Sequence, residues 1–154
     1  MLKKRLGIEA VERDSWGISE IGLPYKIHST LVIPEGCKKI GTWAFWCCDN
    51  LKEVVIPESV KEIEDYAFRV CCNLEKVVIP ESVEKIGYKA FLDCEKLEKV
   101  IIPKSVNVID YSAFWGCRNA EVILEKPKSE FKYIGENAFK NCKSVKYAEK
   151  EAGS

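Results

Sequence analysis

Shifted by 23 residues, the chain superimposes on itself. LKEVVIPESVKEIEDYAFRVCCN starts at Leu51, LEKVVIPESVEKIGYKAFLDCEK at Leu74, and LEKVIIPKSVNVIDYSAFWGCRN at Leu97. A first copy, HSTLVIPEGCKKIGTWAFWCCDN, starts at His28. A fifth starts at Ala120 and runs to 25 residues, with one deletion before Val122 and three extra residues around Lys126-Pro127-Lys128. A fixed period of this length predicts a solenoid, because one unit cannot bury its apolar face alone and must stack on the next.

Within a unit the roles separate. Leu51, Val54 and Ile56 space their apolar groups as a short strand with inward side chains. Pro57 ends that strand, since proline brings no donor to a ladder. Val60 and Ile63 return apolar groups to the core. Ala67-Phe68 supply one small and one large core residue, expected on a helical turn across the back, and Cys71 closes the unit. The isoleucine slot recurs at Ile40, Ile63, Ile86, Ile109 and Ile134. The aromatic slot holds Phe45, Phe68, Phe91, Phe114 and Phe139, and the thiol slot Cys48, Cys71, Cys94, Cys117 and Cys142. Stacked coils ~4.8 Å apart turn these slots into ladders, and five coils make a stack about 25 Å long. The expected fold class is an α/β repeat solenoid: a short coil stack with a parallel β-sheet on one face and helical or irregular turns on the other.

A strand ending in I-P, then S-V-x-x-I-G, then A-F-x-x-C, as in VVIPESVEKIGYKAFLDC, resembles the BspA-like, or Treponema-type, leucine-rich-repeat family. The resemblance covers residues 28–144. It implies a curved or flat leucine-rich-repeat solenoid that binds or adheres rather than catalyses, and it carries over no catalytic residues, because the motif residues are structural. Secreted and surface-attached members often carry a signal and an anchor. Here the start, MLKKRLGIEAVERDSW, is basic but has no apolar run, being interrupted by Glu9, Glu12, Arg13 and Asp14. No secretory signal is expected from it. Three regions follow: an N-terminal cap over 1–27, five repeats of 23, 23, 23, 23 and 25 residues over 28–144, and a partial last strand with a charged tail over 145–154. Residues 25–34 are expected to form a capping hairpin around His28, and LKKRLGIEAV a short amphipathic helix or strand on that end.

Charge and cysteine usage exclude several functions. Lys plus Arg total 24 and Asp plus Glu total 24. A balanced chain has no field that would steer it to nucleic acid or an anionic membrane. No apolar window reaches the length of a transmembrane helix. Five of the eight cysteines form the thiol ladder. Stacked in parallel, their Cβ atoms do not converge as a disulfide requires. They are expected as buried thiols acting as small apolar groups, with Cys37 in the valine slot of Val60 and Val83. Free thiols suit a reducing cytoplasm, which is the expected location, or an extracellular one if the chain is a fragment. Cys47 and Cys72 depart from the ladder, and Cys72 is expected to be exposed. Zinc usually takes spaced Cys pairs or Cys-His pairs, whereas Cys47-Cys48 and Cys71-Cys72 are adjacent and His28 is the sole histidine. No metal, no cofactor and no catalytic residue is expected. Neither a Gly-rich phosphate loop nor a nucleophile elbow is present, so the chain reads as a non-enzyme.

Two exposed surfaces remain. Alternation along each strand points Val32, Val55, Val78, Ile101 and Ile123 outward. Glu53, Lys76 and Lys99 flank this apolar stripe together with Thr30, and Lys52, Glu75, Glu98 and Glu121 lie beside them. An apolar strip with a charged border is what a protein-binding patch looks like. The plainer reading is that β-branched residues simply favour strands. Trp46 and Trp115 share a slot on the turn side, and Trp43 lies nearby, with Tyr66, Tyr88 and Tyr111 leading into that turn. They are expected to be partly exposed, as binding anchors or as rings lying flat over a neighbouring coil. The expected function is non-catalytic recognition of a protein partner, through the sheet face or the tryptophan side. The alternatives are a surface adhesin fragment of a longer secreted protein, an inhibitor of a single host protein, and a thiol or metal protein. Homo-association through the apolar stripe is a further partner arrangement.

Overall fold

A computed structural model describes residues 29–152. The cap expected over 1–27, His28 and the first part of the hairpin expected over 25–34 lie outside the described residues. The rest forms a β-solenoid of about five turns, in which the strands pair in parallel.

Each turn contributes two short strands. The first strand of each turn lies on the front face: β1 Thr30–Val32, β3 Glu53–Val55, β5 Lys76–Val78, β7 Lys99–Ile102 and β9 Glu121–Leu124, followed by β11 Ser144–Tyr147. The second strand follows the proline turn: β2 Lys39–Ile40, β4 Glu62–Ile63, β6 Lys85–Ile86, β8 Val108–Ile109 and β10 Tyr133–Ile134. These five two-residue strands form one unbroken sheet, in the order β10-β8-β6-β4-β2. The front strands form two sheets, β1-β3-β5 and β11-β9-β7.

The core is the set of ladders that the repeat dictates. Phe45, Phe68, Phe91 and Phe114 are fully buried. Successive rings stack at centroid distances of 5.3, 5.1 and 5.0 Å, and Phe139 continues the column at 5.8 Å. Ile40, Ile63, Ile86 and Ile109 are equally buried. Each such side chain contributes about 2–3 kcal/mol by leaving water.

The helical part of the expected fold class is not confirmed. Among the described residues there is no α-helix, and the one helical element is the 3-10 turn Lys128–Glu130 in the lengthened fifth unit. The reason lies in the backbone hydrogen bonds across the back. The amides of Trp43, Phe45 and Cys47 donate to the carbonyls of Asp65, Ala67 and Arg69 in the next coil, at 3.2, 2.7 and 2.9 Å. The intervening amides of Ala44 and Trp46 donate within the coil, to Gly41 and Trp43. An α-helix needs every amide to bond four residues back along its own chain, so giving each second one to the neighbouring coil forbids it. The alternation is made by two left-handed residues per turn. One slot holds Trp43, Tyr66, Lys89, Ser112 and Asn137, at φ between 52° and 63°. The other holds Cys47, Val70, Asp93, Gly116 and Asn141.

The insertion in the fifth unit brings a charged side chain into the interior. Lys126 is 5% exposed. Its Nζ donates to the carbonyl of Lys104 at 3.0 Å and to Asn107 Oδ1 at 3.1 Å, and it lies 4.5 Å from the centre of the Phe131 ring. Burial lowers its pKa. The lysine is tolerated inside because backbone, amide and ring satisfy its ammonium.

Candidate functional site: the outer sheet face

The front strands alternate as a pleated strand must. Val54, Val77, Val100 and Val122 point inward and are buried. Between them Val32, Val55, Val78 and Ile101 point outward at 66%, 42%, 58% and 44% exposure, a continuous apolar row. Ile123, expected in the same row, is half-buried rather than exposed. Its register partner on β11 is Lys146, and a long aliphatic stem beside it covers more surface than a valine does.

The charged border is set by register. Glu53 lies opposite Lys76 and pairs with it at 3.1 Å. Lys99 lies opposite Glu121, which corrects the expectation that Glu121 belongs with Lys52, Glu75 and Glu98. The one-residue deletion moves Glu121 across. Lys143 donates to Glu121 Oε1 at 2.6 Å, and that hydrogen bond, with the ammonium charge behind it, holds the Glu121 carboxyl below its ordinary value.

One interface between front strands differs from the rest. β5 and β7 belong to separate sheets. By repeat position Glu75 meets Glu98 there, and Lys76 meets Lys99, so both charged rows set like beside like. At β3–β5 the corresponding neighbours are opposite in sign: Lys52 with Glu75, and Glu53 with Lys76. Like charges facing each other across strands are destabilising, and the backbones at this seam are joined where the strands begin, by the Glu98 amide donating to the Glu75 carbonyl at 3.1 Å. A groove of about 660 Å³ opens along this seam, with Val78, Ile79, Pro80, Ile101 and Pro103 among its lining.

The aromatic side is a separate surface on the back of the coil. Trp43 lies flat on Tyr66 of the next turn at 4.1 Å, and Trp46 meets Trp43 edge-on at 5.5 Å. The Arg69 guanidinium sits 5.8 Å from the centres of both the Trp43 and Tyr66 rings. Trp46 is 36% exposed, whereas Trp115 is half-buried with the Lys140 ammonium 5.7 Å from its ring. Trp46 and Trp115 are three turns apart, about 14 Å along the stack. The structure therefore brings the sheet-face residues Val32, Val55, Val78, Ile101, Glu53, Lys76 and Lys99 onto one surface and leaves the two tryptophans apart from them and from each other.

All eight cysteines are free thiols. Within the ladder four of the five thiols donate to a phenylalanine carbonyl of the preceding coil, Cys71 to Phe45 at 3.0 Å, Cys94 to Phe68 at 3.2 Å, Cys117 to Phe91 at 3.1 Å and Cys142 to Phe114 at 3.3 Å, whereas Cys48 points to the Trp46 carbonyl at 4.0 Å. Burial pushes the thiols of Cys71, Cys94 and Cys117 well above their ordinary range. A nucleophilic or metal-binding cysteine needs the opposite shift, which in the ladder falls to Cys142, whose thiol pKa is lowered by its hydrogen bond with Cys117. Cys72, expected exposed, is half-buried, and burial raises its pKa as it does for Cys47. Among the described residues no group of His, Cys, Asp and Glu is placed to hold a metal ion, and no helix is long and apolar enough to cross a membrane.

The groove and its charge seam are not among the features expected from the sequence, although Glu75/Glu98 and Lys76/Lys99, each repeating at the period, are their signal. A family model described as a BspA type leucine rich repeat region matches residues 25–146 in six copies. Among solved structures the chain is similar to a leucine rich cell surface protein from Faecalibacterium prausnitzii A2-165, with 30% identity and a TM-score of 0.70 over 80% of this chain and 33% of that one. It shares its fold with a leucine rich repeat protein of T. pallidum, at 22% identity and a TM-score of 0.53, over 80% of this chain and 74% of that one. The chain spans about a third of the length of the first of these. No curated protein matches it.

Proposed function

The chain belongs to the BspA-type leucine-rich-repeat family, and from that premise we propose that it is a non-catalytic module that recognises a protein partner through its outer sheet face. The observation that supports this reading is the row Val32, Val55, Val78 and Ile101, four branched apolar side chains left in water side by side. Isolated exposed hydrophobics need no explanation, but a contiguous row bordered by charge is an interaction surface. The mechanism is additive: rigid coils present an extended surface, each coil adds one apolar contact, and the coils from Glu53 onward add a flanking charge. Glu53, Lys76 and Lys99 set orientation, and the half-buried Ile123 marks the rim. Five repeats over 28–144, with a cap before them and a terminal strand after, are part of the same reading.

A photo-crosslinking residue placed at Val78, and separately at Trp46, tests it in cells of the source organism. Protein adducts from the Val78 position are expected. Adducts from Trp46 alone would move the site to the aromatic side, and none from either position would remove the recognition role.

A second reading is a surface-exposed segment of a longer protein. The likeness to a cell surface protein, of whose length this chain spans about a third, supports it. Eight free thiols fit a reducing compartment instead. The mass of the native gene product, and its sensitivity to protease added to intact cells, separate the two.

A further inference from the structure

The seam between β5 and β7 narrows the partner's chemistry. Its apolar floor is made by Val78 and Ile101, with Pro80 and Pro103 at one end. Five carboxylates line it, Glu75 and Glu98 where the strands begin and Glu58, Glu81 and Glu125 where they end, against two lysines. None of the five makes an ion pair among the described residues, whereas the Lys76 ammonium is held by Glu53. The chain as a whole is balanced, so the excess belongs to this lining, while Lys96, Lys99 and Lys143 share with Glu75 and Glu98 the adjoining depression. The excess is also costly, since like charges face each other across the seam, where the Glu98 amide donates to the Glu75 carbonyl at 3.1 Å and holds the two carboxylates one coil apart. A cation arriving between Glu75 and Glu98 relieves that repulsion as well as making its own contacts.

We propose that this seam is a docking groove for an extended cationic segment of a partner protein, with branched apolar residues at its centre and lysine or arginine at both ends. The proposal rests on the reading of the outer sheet face as the recognition surface. Extended backbone suits the groove because it runs along the strands, and alternate side chains then enter between Val78 and Ile101. Glu81 follows Glu75 by about six residues of chain, so an extended segment of about seven residues reaches both acidic ends.

The probe is a labelled peptide, acetyl-Lys-Lys-Val-Ser-Ile-Lys-Lys-amide, with its counterpart bearing glutamate at every lysine. Fluorescence polarisation on the full chain is expected to show at least about tenfold tighter binding of the cationic peptide, weakening several-fold between about 50 mM and about 300 mM salt. Glu98→Lys and Ile101→Asp, checked for folding by circular dichroism, are expected each to lose about tenfold or more, whereas Glu136→Lys on another face is expected to change nothing. Equal affinity for the two peptides, or an affinity unchanged by Glu98→Lys, overturns the proposal. A doubling of mass by light scattering that Ile101→Asp reverses would make the occupant a second copy of this chain and also overturns it. A displayed library of random seven-residue peptides separates this failure from failure of the broader reading. Enrichment of acidic or neutral binders that Val55→Glu abolishes leaves the sheet face standing without this partner chemistry. Binders indifferent to Val55→Glu, or no enrichment, sink both.

Discussion

The thiol of Cys94 donates to the carbonyl oxygen of Phe68, 26 residues earlier, at 3.2 Å. The same carbonyl accepts the amide of Cys71 at 3.3 Å. One oxygen thus closes the turn of its own coil and fastens the next coil onto it. Cys94→Ala removes the thiol from a fully buried position and leaves a small void. A loss of about 1–3 kcal/mol is expected, measured as the urea midpoint at constant m-value. Cys72→Ala, at a half-buried position outside the ladder, is expected to cost under about 0.5 kcal/mol. Equal losses at both positions would deny the ladder its structural role.

Thiol reactivity follows the same geometry. Cys71, Cys94 and Cys117 are buried with raised pKa values, so they present neither access nor thiolate. With a chromogenic disulfide reagent at neutral pH they are expected to react only after unfolding, while Cys47 and Cys72 react slowly in the folded chain. Rapid modification of Cys94 in native buffer would contradict this.

Stability is expected to fall in alkali. Burial raises the folded-state pKa of these three thiols above the ordinary value of 9.0. Above that value the unfolded chain has released protons that the folded chain still holds. Their contribution is complete below about pH 8.5 and is lost as pH rises, at up to about 1.4 kcal/mol per pH unit for each thiol. Urea titrations between about pH 8 and about pH 10.5 measure the slope, and Cys94→Ala is expected to make it shallower by one thiol's share.

Val70 sits at φ 60°, in the left-handed region that a β-branched residue avoids. The equivalent residues two and three turns on are Gly116 and Asn141, both tolerant of that conformation. Val70→Asn is expected to stabilise by about 0.5–1 kcal/mol, read as a rise in Tm of several degrees. A fall in Tm would mean that the half-buried valine contributes more by packing than its backbone costs.

Glu98→Lys sets opposite charges across the β5–β7 seam, and the deletion in the fifth unit leaves no like charge in the next position of that row. A gain of about 0.2–1 kcal/mol is expected in the urea midpoint. The same substitution is expected to weaken cationic binding about tenfold or more, so stability and affinity move in opposite directions. A loss of stability would show that the like-charge contact at this seam is not costly.

The period alone is enough to assign the core. Phe68, Ile63, Cys71 and Val60 recur every 23 residues, and a parallel stack can satisfy that recurrence in one way: each above its predecessor. Outward placement of Val55, Val78 and Ile101 is legible for a related reason, since alternation along a strand is imposed by the backbone itself. The turns on the back read as helical because Ala-Phe-x-x-Cys has helical spacing, and nothing in Trp43, Tyr66 or Val70 as residue types announces a left-handed backbone. That conformation is set by which amides the neighbouring coil takes, and it exists only once the coils are stacked. The burial of Lys126 is illegible for the same reason, because Lys104, Asn107 and Phe131 meet its ammonium only in the folded coils.

Residue order is sufficient for the stack: its period, its ladders, and which side of each strand faces water. Folding in three dimensions settled where that stack is not uniform. Which charges come opposite each other, as Glu75 and Glu98 do, is decided at a distance of one coil, and that distance is a property of the folded molecule, not of the chain.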